Sequence, residues 1–182
     1  SKVDGRSIYP ILNMLNTKYF ILPLQGNQTA PVLNPYTYGN AWFVDKVTYV
    51  NNANEEIDKV GKIDLRHEAV ADKQFETTLK ASNAQGNVSQ VELVSYAPNK
   101  LKYNVSSEKG GVVFFSEIYY PGWTATIDGQ KAELGRVNYI LRALNVEKGK
   151  HTIELTFDPQ SVHTTEIIAI ISFATLLILI AF

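Results

Sequence analysis

The residues best suited to chemistry lie in one short stretch, residues 114–129, which reads FFSEIYYPGWTATIDG. Tyr119, Tyr120 and Trp123 carry flat aromatic side chains with one polar end, which suit stacking on a sugar ring. Glu117 and Asp128 add carboxylates that can accept hydrogen bonds from hydroxyl groups. The stretch therefore offers a carbohydrate contact as one of its possible roles.

A structural role for the same aromatic residues is favoured by their spacing. Trp123 alternates with Ala125 and Ile127, which is typical of the buried face of a strand. Tyr119 and Tyr120 are adjacent and must point to opposite faces, so we expect at most one of them to be exposed.

Two pairs of acids could in principle perform sugar hydrolysis. Glu117 and Asp128 would need to lie roughly 5–10 Å apart in an open cleft. Glu55 and Glu56 are adjacent on a predicted helix and point about 100° apart, so we interpret them as part of a solvated helix face. Neither pair predicts an enzyme, and we expect no catalytic residue in this chain.

No recognised motif for a phosphate, metal or nucleophile site is present in the sequence. Cysteine is absent, and the three histidines, His67, His151 and His163, lack the spacing of metal ligands. We therefore expect no cofactor and no metal. The net charge of −1 in 182 residues gives no basic surface for nucleic acid.

The elements that must position these residues are mostly strands. After Val88 the pattern alternates in short runs separated by turns, including the Asp128-Gly129 hairpin signal. It predicts an antiparallel β-sandwich over about 88–158 within a mainly β, α+β fold. The seven predicted strands are 88–96, 100–105, 112–116, 123–127, 130–134, 139–144 and 151–157.

Residues 1–80 predict a mixed α/β lobe packed against the sandwich. One helix is expected at 7–16, with Ser7 as its N-cap and Ile8 on its apolar face. A second is expected from Asn52 to Val60, with Asn52 or Asn54 as its N-cap. Strands are expected at 17–22, 41–50 and 68–71, and a loop at 25–38.

The C-terminal segment 167–182 is apolar and contains no charged residue. Sixteen such residues are close to the roughly 20 that cross a bilayer. We expect residues 165–182 to be the start of a truncated transmembrane helix, capped by Thr164 or Thr165 and preceded by a linker.

Five segments, taken in order, resemble the YfhO-type bacterial membrane proteins, and most closely their Bacteroidetes branch. They are 13–21 (NMLNTKYFI), 39–44 (GNAWFV), 116–129 (SEIYYPGWTATIDG), 138–144 (NYILRAL) and 149–155 (GKHTIEL).

The resemblance implies a large polytopic protein whose membrane part is similar to lipid-linked-sugar glycosyltransferases. This chain would be its non-catalytic extracytoplasmic domain at the cell membrane, anchored through 167–182 and upstream helices, and positioning a cell-envelope glycan acceptor. The family's catalytic carboxylates would lie in loops that this sequence does not contain. A carbohydrate-binding module and a purely structural interaction domain remain the alternatives.

Overall fold

The computed structural model describes residues 9–80 and 86–181, and within them the chain is built mainly from antiparallel strands. The helices are α1 Pro10–Met14, α2 Ala53–Val60, α3 Glu76–Leu79 and α4 Gln160–Ala181. The strands up to the start of the predicted sandwich are β1 Tyr19–Pro23, β2 Thr29–Leu33, β3 Ala41–Val44, β4 Lys46–Val50 and β5 Glu68–Asp72. The later strands are β6 Ser89–Ala97, β7 Lys100–Ser107, β8 Gly111–Ile118, β9 Trp123–Ile127, β10 Gln130–Ala132, β11 Gly135–Val137, β12 Leu141–Val146 and β13 Gly149–Phe157.

Two antiparallel sheets form the predicted sandwich. One has the strand order β10-β9-β13-β7-β6 and the other β11-β12-β8-β3. The mainly β, α+β fold with a C-terminal helix is therefore confirmed. The structure adds β11 to the seven predicted strands, and the second sheet takes β3 from the segment predicted as the N-terminal lobe.

Strand β8 lies between two hydrophobic cores, since its side chains alternate between them. Val113 and Phe115 pack with Ile153 and Leu155 in the core between the two sheets. Val112 and Phe114 face the second core, where the lobe covers the four-stranded sheet. The fold therefore has three layers, with the four-stranded sheet in the middle.

The lobe is organised around the parallel pair β4–β5 and helix α2 that connects them. Asn52 caps α2 as predicted, because its side-chain oxygen accepts a hydrogen bond from the Glu55 backbone N–H at 3.0 Å. The predicted strand 41–50 is wrong in one respect, since it divides at Asp45 into β3 and β4, which belong to different sheets.

The interpretation of Glu55 and Glu56 as part of a solvated helix face is wrong for Glu56, which is buried. Its side chain is 0% exposed. One carboxylate oxygen accepts from Arg136 Nη2 at 2.9 Å and the other from the Tyr139 backbone N–H at 2.7 Å. Burial raises the pKa of Glu56, and these two bonds oppose that rise. The carboxylate thus joins α2 to the loop between β11 and β12.

The first forty residues hold a second correction. The segment 25–38, predicted as a loop, contains β2, which pairs with β1 in a separate two-stranded sheet. The first predicted helix begins at Pro10 in the described part of the chain, and the predicted cap Ser7 and Ile8 lie outside the described residues.

Helix α4 follows the last strand after only two residues, Asp158 and Pro159. It begins at Gln160, so the caps predicted at Thr164 and Thr165 are wrong. Both hydroxyls instead bond back to carbonyls one turn earlier, those of Gln160 and Ser161. Such bonds satisfy a hydroxyl within a helix and let the helix start before the apolar run.

Candidate functional site

The aromatic turn, residues 119–123, joins β8 to β9 at the end of the sandwich from which α4 departs. Tyr120 is 61% exposed and its ring lies 6.3 Å from that of Phe157. Trp123 is half-buried against the same ring, with centroids 5.4 Å apart. Tyr119 turns the other way and meets Phe75 edge-on at 5.8 Å. Only one of the two tyrosines is exposed, as their adjacency predicts.

A cleft of about 290 Å³ opens beside this turn and extends along β10. Lys131 and Glu133 supply charged groups opposite the aromatic residues. We name it the aromatic cleft. Its lining residues are Tyr119, Tyr120, Pro121, Gly122, Trp123, Thr124, Ala125, Lys131, Ala132, Glu133 and Leu134. An aromatic wall with hydrogen-bonding groups at the rim can hold a small polyhydroxylated ring.

Glu117 lies behind Trp123, where it pairs with a buried arginine. Arg142 is 1% exposed, and its Nη2 donates to Glu117 Oε2 at 3.2 Å. The guanidinium carbon of Arg142 also lies 4.0 Å from the centroid of the Trp123 ring, a cation–π contact. Burial lowers the pKa of Arg142 and the Glu117 carboxylate opposes that fall. In this arrangement Glu117 balances the buried charge of Arg142, and Arg142 packs against the Trp123 ring.

Arg142 is a residue that the sequence reasoning missed. Its Nε and Nη1 are buried and have no hydrogen-bond partner among the described residues, and the same holds for the Tyr103 hydroxyl. Burial raises the pKa of Tyr103, so the phenol is neutral beside the guanidinium. The sequence signal that could have identified it is its position as the one charged residue in the otherwise apolar run 140–144.

Asp128 is not part of the aromatic cleft. It follows β9 at the opposite end from Trp123, and a five-residue strand separates the two by about 16 Å. Since Glu117 lies next to Trp123 through Arg142, the acid pair Glu117–Asp128 does not come together. The Asp128-Gly129 turn has the predicted form, with both residues at positive φ and Ile127 paired with Gln130.

Asp128 instead forms an ion pair with His151. The Asp128 Oδ2 to His151 Nδ1 distance is 2.6 Å, and Asp128 Oδ1 accepts from the Thr152 backbone N–H at 2.8 Å. The backbone N–H of Thr152 and the ring of His151 lower the pKa of Asp128. The hydrogen bond to Asp128 raises the pKa of His151. The pair fastens the β9–β10 hairpin to β13.

A second, shallow depression of about 640 Å³ lies along the five-stranded sheet beside this pair. We name it the polar groove. It is lined by Gln90, Val91, Glu92, Asn104, Val105, Ser106, Asp128, Lys150, His151 and Thr152. It has amide, hydroxyl and charged groups but no Phe, Tyr or Trp among these residues, so it lacks the broad stacking surface of the aromatic cleft. Across residues 9–80 and 86–181 no cluster of three acids or histidines could hold a metal ion.

The root of α4 adjoins the aromatic cleft. The Asp158 backbone N–H donates to the Gly122 carbonyl at 2.8 Å. Gly122 has φ +100, and a Cβ there would lie 2.8 Å from Pro159 Cβ and 3.0 Å from the Phe157 ring. Only glycine fits this approach without strain. The aromatic turn and the start of the helix therefore form one packed unit.

Helix α4 itself contacts none of the protein core. Over Gln160–Ile180 it is long and apolar enough to cross a membrane and is 0% buried. It is the one helix of that kind in the described part of the chain. The hydroxyls of Ser172 and Thr175 donate to carbonyls four residues earlier, at 2.8 Å each, which satisfies them without water.

The sequence was compared with known proteins. A family model described as "Bacterial membrane protein YfhO" matches residues 19–169. A curated relative, "Uncharacterized protein YfhO" of Bacillus subtilis (strain 168), is 26% identical over 134 residues, which is 69% of this chain and 15% of the relative. The chain thus spans less than a fifth of that relative's length. No solved structure matches the chain significantly.

Proposed function

This chain belongs to the YfhO family of bacterial membrane proteins, and from that premise we propose that it is a non-catalytic domain standing on the outer face of the cell membrane. In the proposal α4 crosses the bilayer and the sandwich lies in the extracytoplasmic space. The domain positions a cell-envelope glycan for a membrane part that resembles lipid-linked-sugar glycosyltransferases.

The observation that carries the proposal is the position of the aromatic cleft at the root of α4. Gly122 belongs both to the lining of the cleft and to the contact with Pro159. A ligand held by Tyr120 and Trp123 would therefore lie at the level of the lipid headgroups. That is where the sugar of a lipid-linked donor must meet its acceptor.

The non-catalytic role is supported by what the candidate residues contact. Glu117 is engaged by Arg142 and Asp128 by His151, on different sheets and at different ends of the sandwich. Because Glu117 and Asp128 lie apart, these two carboxylates do not form the acid–base pair that sugar hydrolysis needs.

Glycan binding is tested by titrating the chain, held in detergent micelles, with oligosaccharides released from bacterial cell-envelope polymers. Tyr120→Ala should weaken binding by about fivefold, since stacking on one aromatic ring contributes on the order of 1 kcal/mol. Tyr96→Ala is the matched control, because Tyr96 is also exposed, at 66%, but lies outside the cleft. Equal affinity of the two variants, or no binding by any form, would leave an interaction domain as the better interpretation.

Orientation is tested separately with a membrane-impermeant thiol reagent on intact cells that make the full-length protein. The chain has no cysteine, so Val88→Cys introduces a single thiol in this domain, at a residue 64% exposed. Reaction in intact cells is expected. Reaction only after the membrane is broken would place the domain in the cytoplasm and refute the proposed orientation.

A further inference from the structure

The hairpin β1–β2 exposes an apolar face that the rest of the described chain does not cover. Cross-strand pairing places Tyr19 opposite Leu33 and Ile21 opposite Pro31, with Pro23 completing the same face. The exposed fractions are 59% for Tyr19, 73% for Ile21 and 61% for Leu33. We name these five residues the apolar hairpin face. The hairpin pairs with no other sheet of the described structure.

The other face of the hairpin is attached to the domain at Phe20, while Leu22 and Val32 on that face are 48% and 44% exposed. Phe20 is half-buried, and its ring lies 5.5 Å from that of Tyr9. The base is held by buried Asn34, whose amide donates to Asn13 Oδ1 at 2.8 Å and to the Thr17 carbonyl at 2.9 Å. The hairpin is therefore fixed at Phe20 and at its base, and the apolar hairpin face is directed away from the domain.

The chemistry of this face matches a lipid surface. Between Tyr19 and Val44 the sequence has no charged residue. The turn of the hairpin, residues 25–28, is made of glycine and uncharged amides, which tolerate the headgroup layer. Pro23 and Pro31 lack a backbone N–H, so they reduce the unpaired donors on these two edge strands. A two-stranded sheet that exposes such a face is marginal in water.

Two contacts place the base of the hairpin at the α4 end of the sandwich. The Met14 carbonyl of α1 accepts from Ser116 Oγ at 3.0 Å, and Ser116 lies near the end of β8. The chain continues from β8 through the aromatic turn to Gly122, whose carbonyl accepts from Asp158 just before α4. The hairpin and the helix thus leave the domain from the same end.

From this placement we infer that the apolar hairpin face lies in the lipid headgroup–acyl boundary, as a second membrane contact beside α4. The inference rests on the proposed position of the domain at the membrane surface. Because the face carries no charge, it contacts zwitterionic and anionic lipids equally well, and the contact is insensitive to salt. With α4 it gives the domain two attachments to the membrane instead of one.

The test uses the complete chain reconstituted into phosphatidylcholine vesicles. Single cysteines, each labelled with an environment-sensitive fluorophore, replace Ile21 on the hairpin face, Leu176 in α4 and Val88 at the opposite end of the sandwich. Val88 precedes β6, whose first residue pairs with Ser107, and Ser107 pairs with Gly149 at the far end of β13. Vesicles containing nitroxide-labelled lipid then report contact between each fluorophore and the bilayer.

We expect nitroxide lipid to reduce the emission of the Ile21 and Leu176 labels by at least about twofold and to leave the Val88 label unchanged. Quenching at Leu176 without quenching at Ile21 would overturn this inference and leave the membrane anchor intact. A blue-shifted but unquenched Ile21 label would mean that protein covers the face, and would also overturn it. Absence of quenching at Leu176 would instead refute the proposed anchor.

Discussion

At the scale of single residues, the carboxylates of Glu56 and Asp128 each bind partners that are distant in the sequence. They differ in exposure, since Glu56 is fully buried and Asp128 is on the surface. They therefore respond differently to substitution and to pH.

Replacing Glu56 by Ala should lower the free energy of unfolding by about 3 kcal/mol, because it leaves Arg136 Nη2 and the Tyr139 N–H without their acceptor. The matched control on the same helix is Asp58→Ala. That carboxylate is largely exposed in its ion pair with Lys62, so its removal should cost less than about 1 kcal/mol. Urea denaturation checks both values, and equal losses would contradict the structural role of Glu56.

The His151–Asp128 pair should make stability depend on pH. The pKa of His151 is raised, so its contribution is complete below the ordinary value of 6.5 and is lost as pH rises through the folded-state pKa. The pKa of Asp128 is lowered, so its contribution is present above 3.8 and is lost as pH falls through the folded-state pKa. The pair is strongest between these limits.

The measurement compares melting temperatures of the wild-type chain and Asp128→Asn across pH. Asparagine keeps an acceptor for Thr152 and tolerates the positive φ of 51 at this position. We expect the difference to be greatest between pH 3.8 and pH 6.5 and to shrink as pH rises through the raised folded-state pKa of His151. A difference that is constant with pH would contradict the ion pair.

At the scale of elements, α3 of the lobe packs closely against β11 of the four-stranded sheet. A Cβ on Gly135 would lie 2.6 Å from the Leu79 side chain, which is completely buried. Gly135→Ala should therefore destabilise the chain by about 1–3 kcal/mol through overpacking. Gly61→Ala is the control, since its Cβ would lie 3.7 Å from its nearest neighbour, and the change should stay within about 0.5 kcal/mol. Thermal unfolding distinguishes the two, and equal effects would refute the overpacking argument.

The elements that could be predicted from the sequence are those specified by a few adjacent residues. The Asp128-Gly129 hairpin needs two residues that accept positive φ, and the α2 cap needs one side-chain acceptor at Asn52, so both could be inferred from a few adjacent residues. Strand β2 could not, because Pro31 and the surrounding asparagines indicate a loop, and only its pairing with β1 makes it extended.

The burial of Glu56 and the pairing of Arg142 depend on partners far along the chain. Arg136 lies 80 residues from Glu56, and Glu117 lies 25 residues from Arg142. No alternation pattern contains that information. For the same reason the five candidate site residues, which are close in sequence, divide between the aromatic cleft, the Arg142 pair and the polar groove.

At the scale of the whole molecule, α4 should be dispensable for folding. Its span contributes nothing to either hydrophobic core and is fully exposed. Deleting residues 165–182 should leave the strand content unchanged by circular dichroism and give a more monodisperse domain by size-exclusion chromatography. A control that deletes β13 should abolish folding, because Ile153 and Leu155 are completely buried. Unfolding of the shorter deletion would mean that the helix belongs to the core.

The close approach of Gly122 to Pro159 has a mechanical consequence. Two residues connect the sheet to α4, and the Asp158–Gly122 hydrogen bond leaves that connection no slack. If a ligand bound at the aromatic turn rotated the sandwich, the rotation would change the tilt of α4. A flexible linker in the same place would absorb that rotation. The domain and its helix would then move as one rigid body, joined at the contact that Gly122 makes.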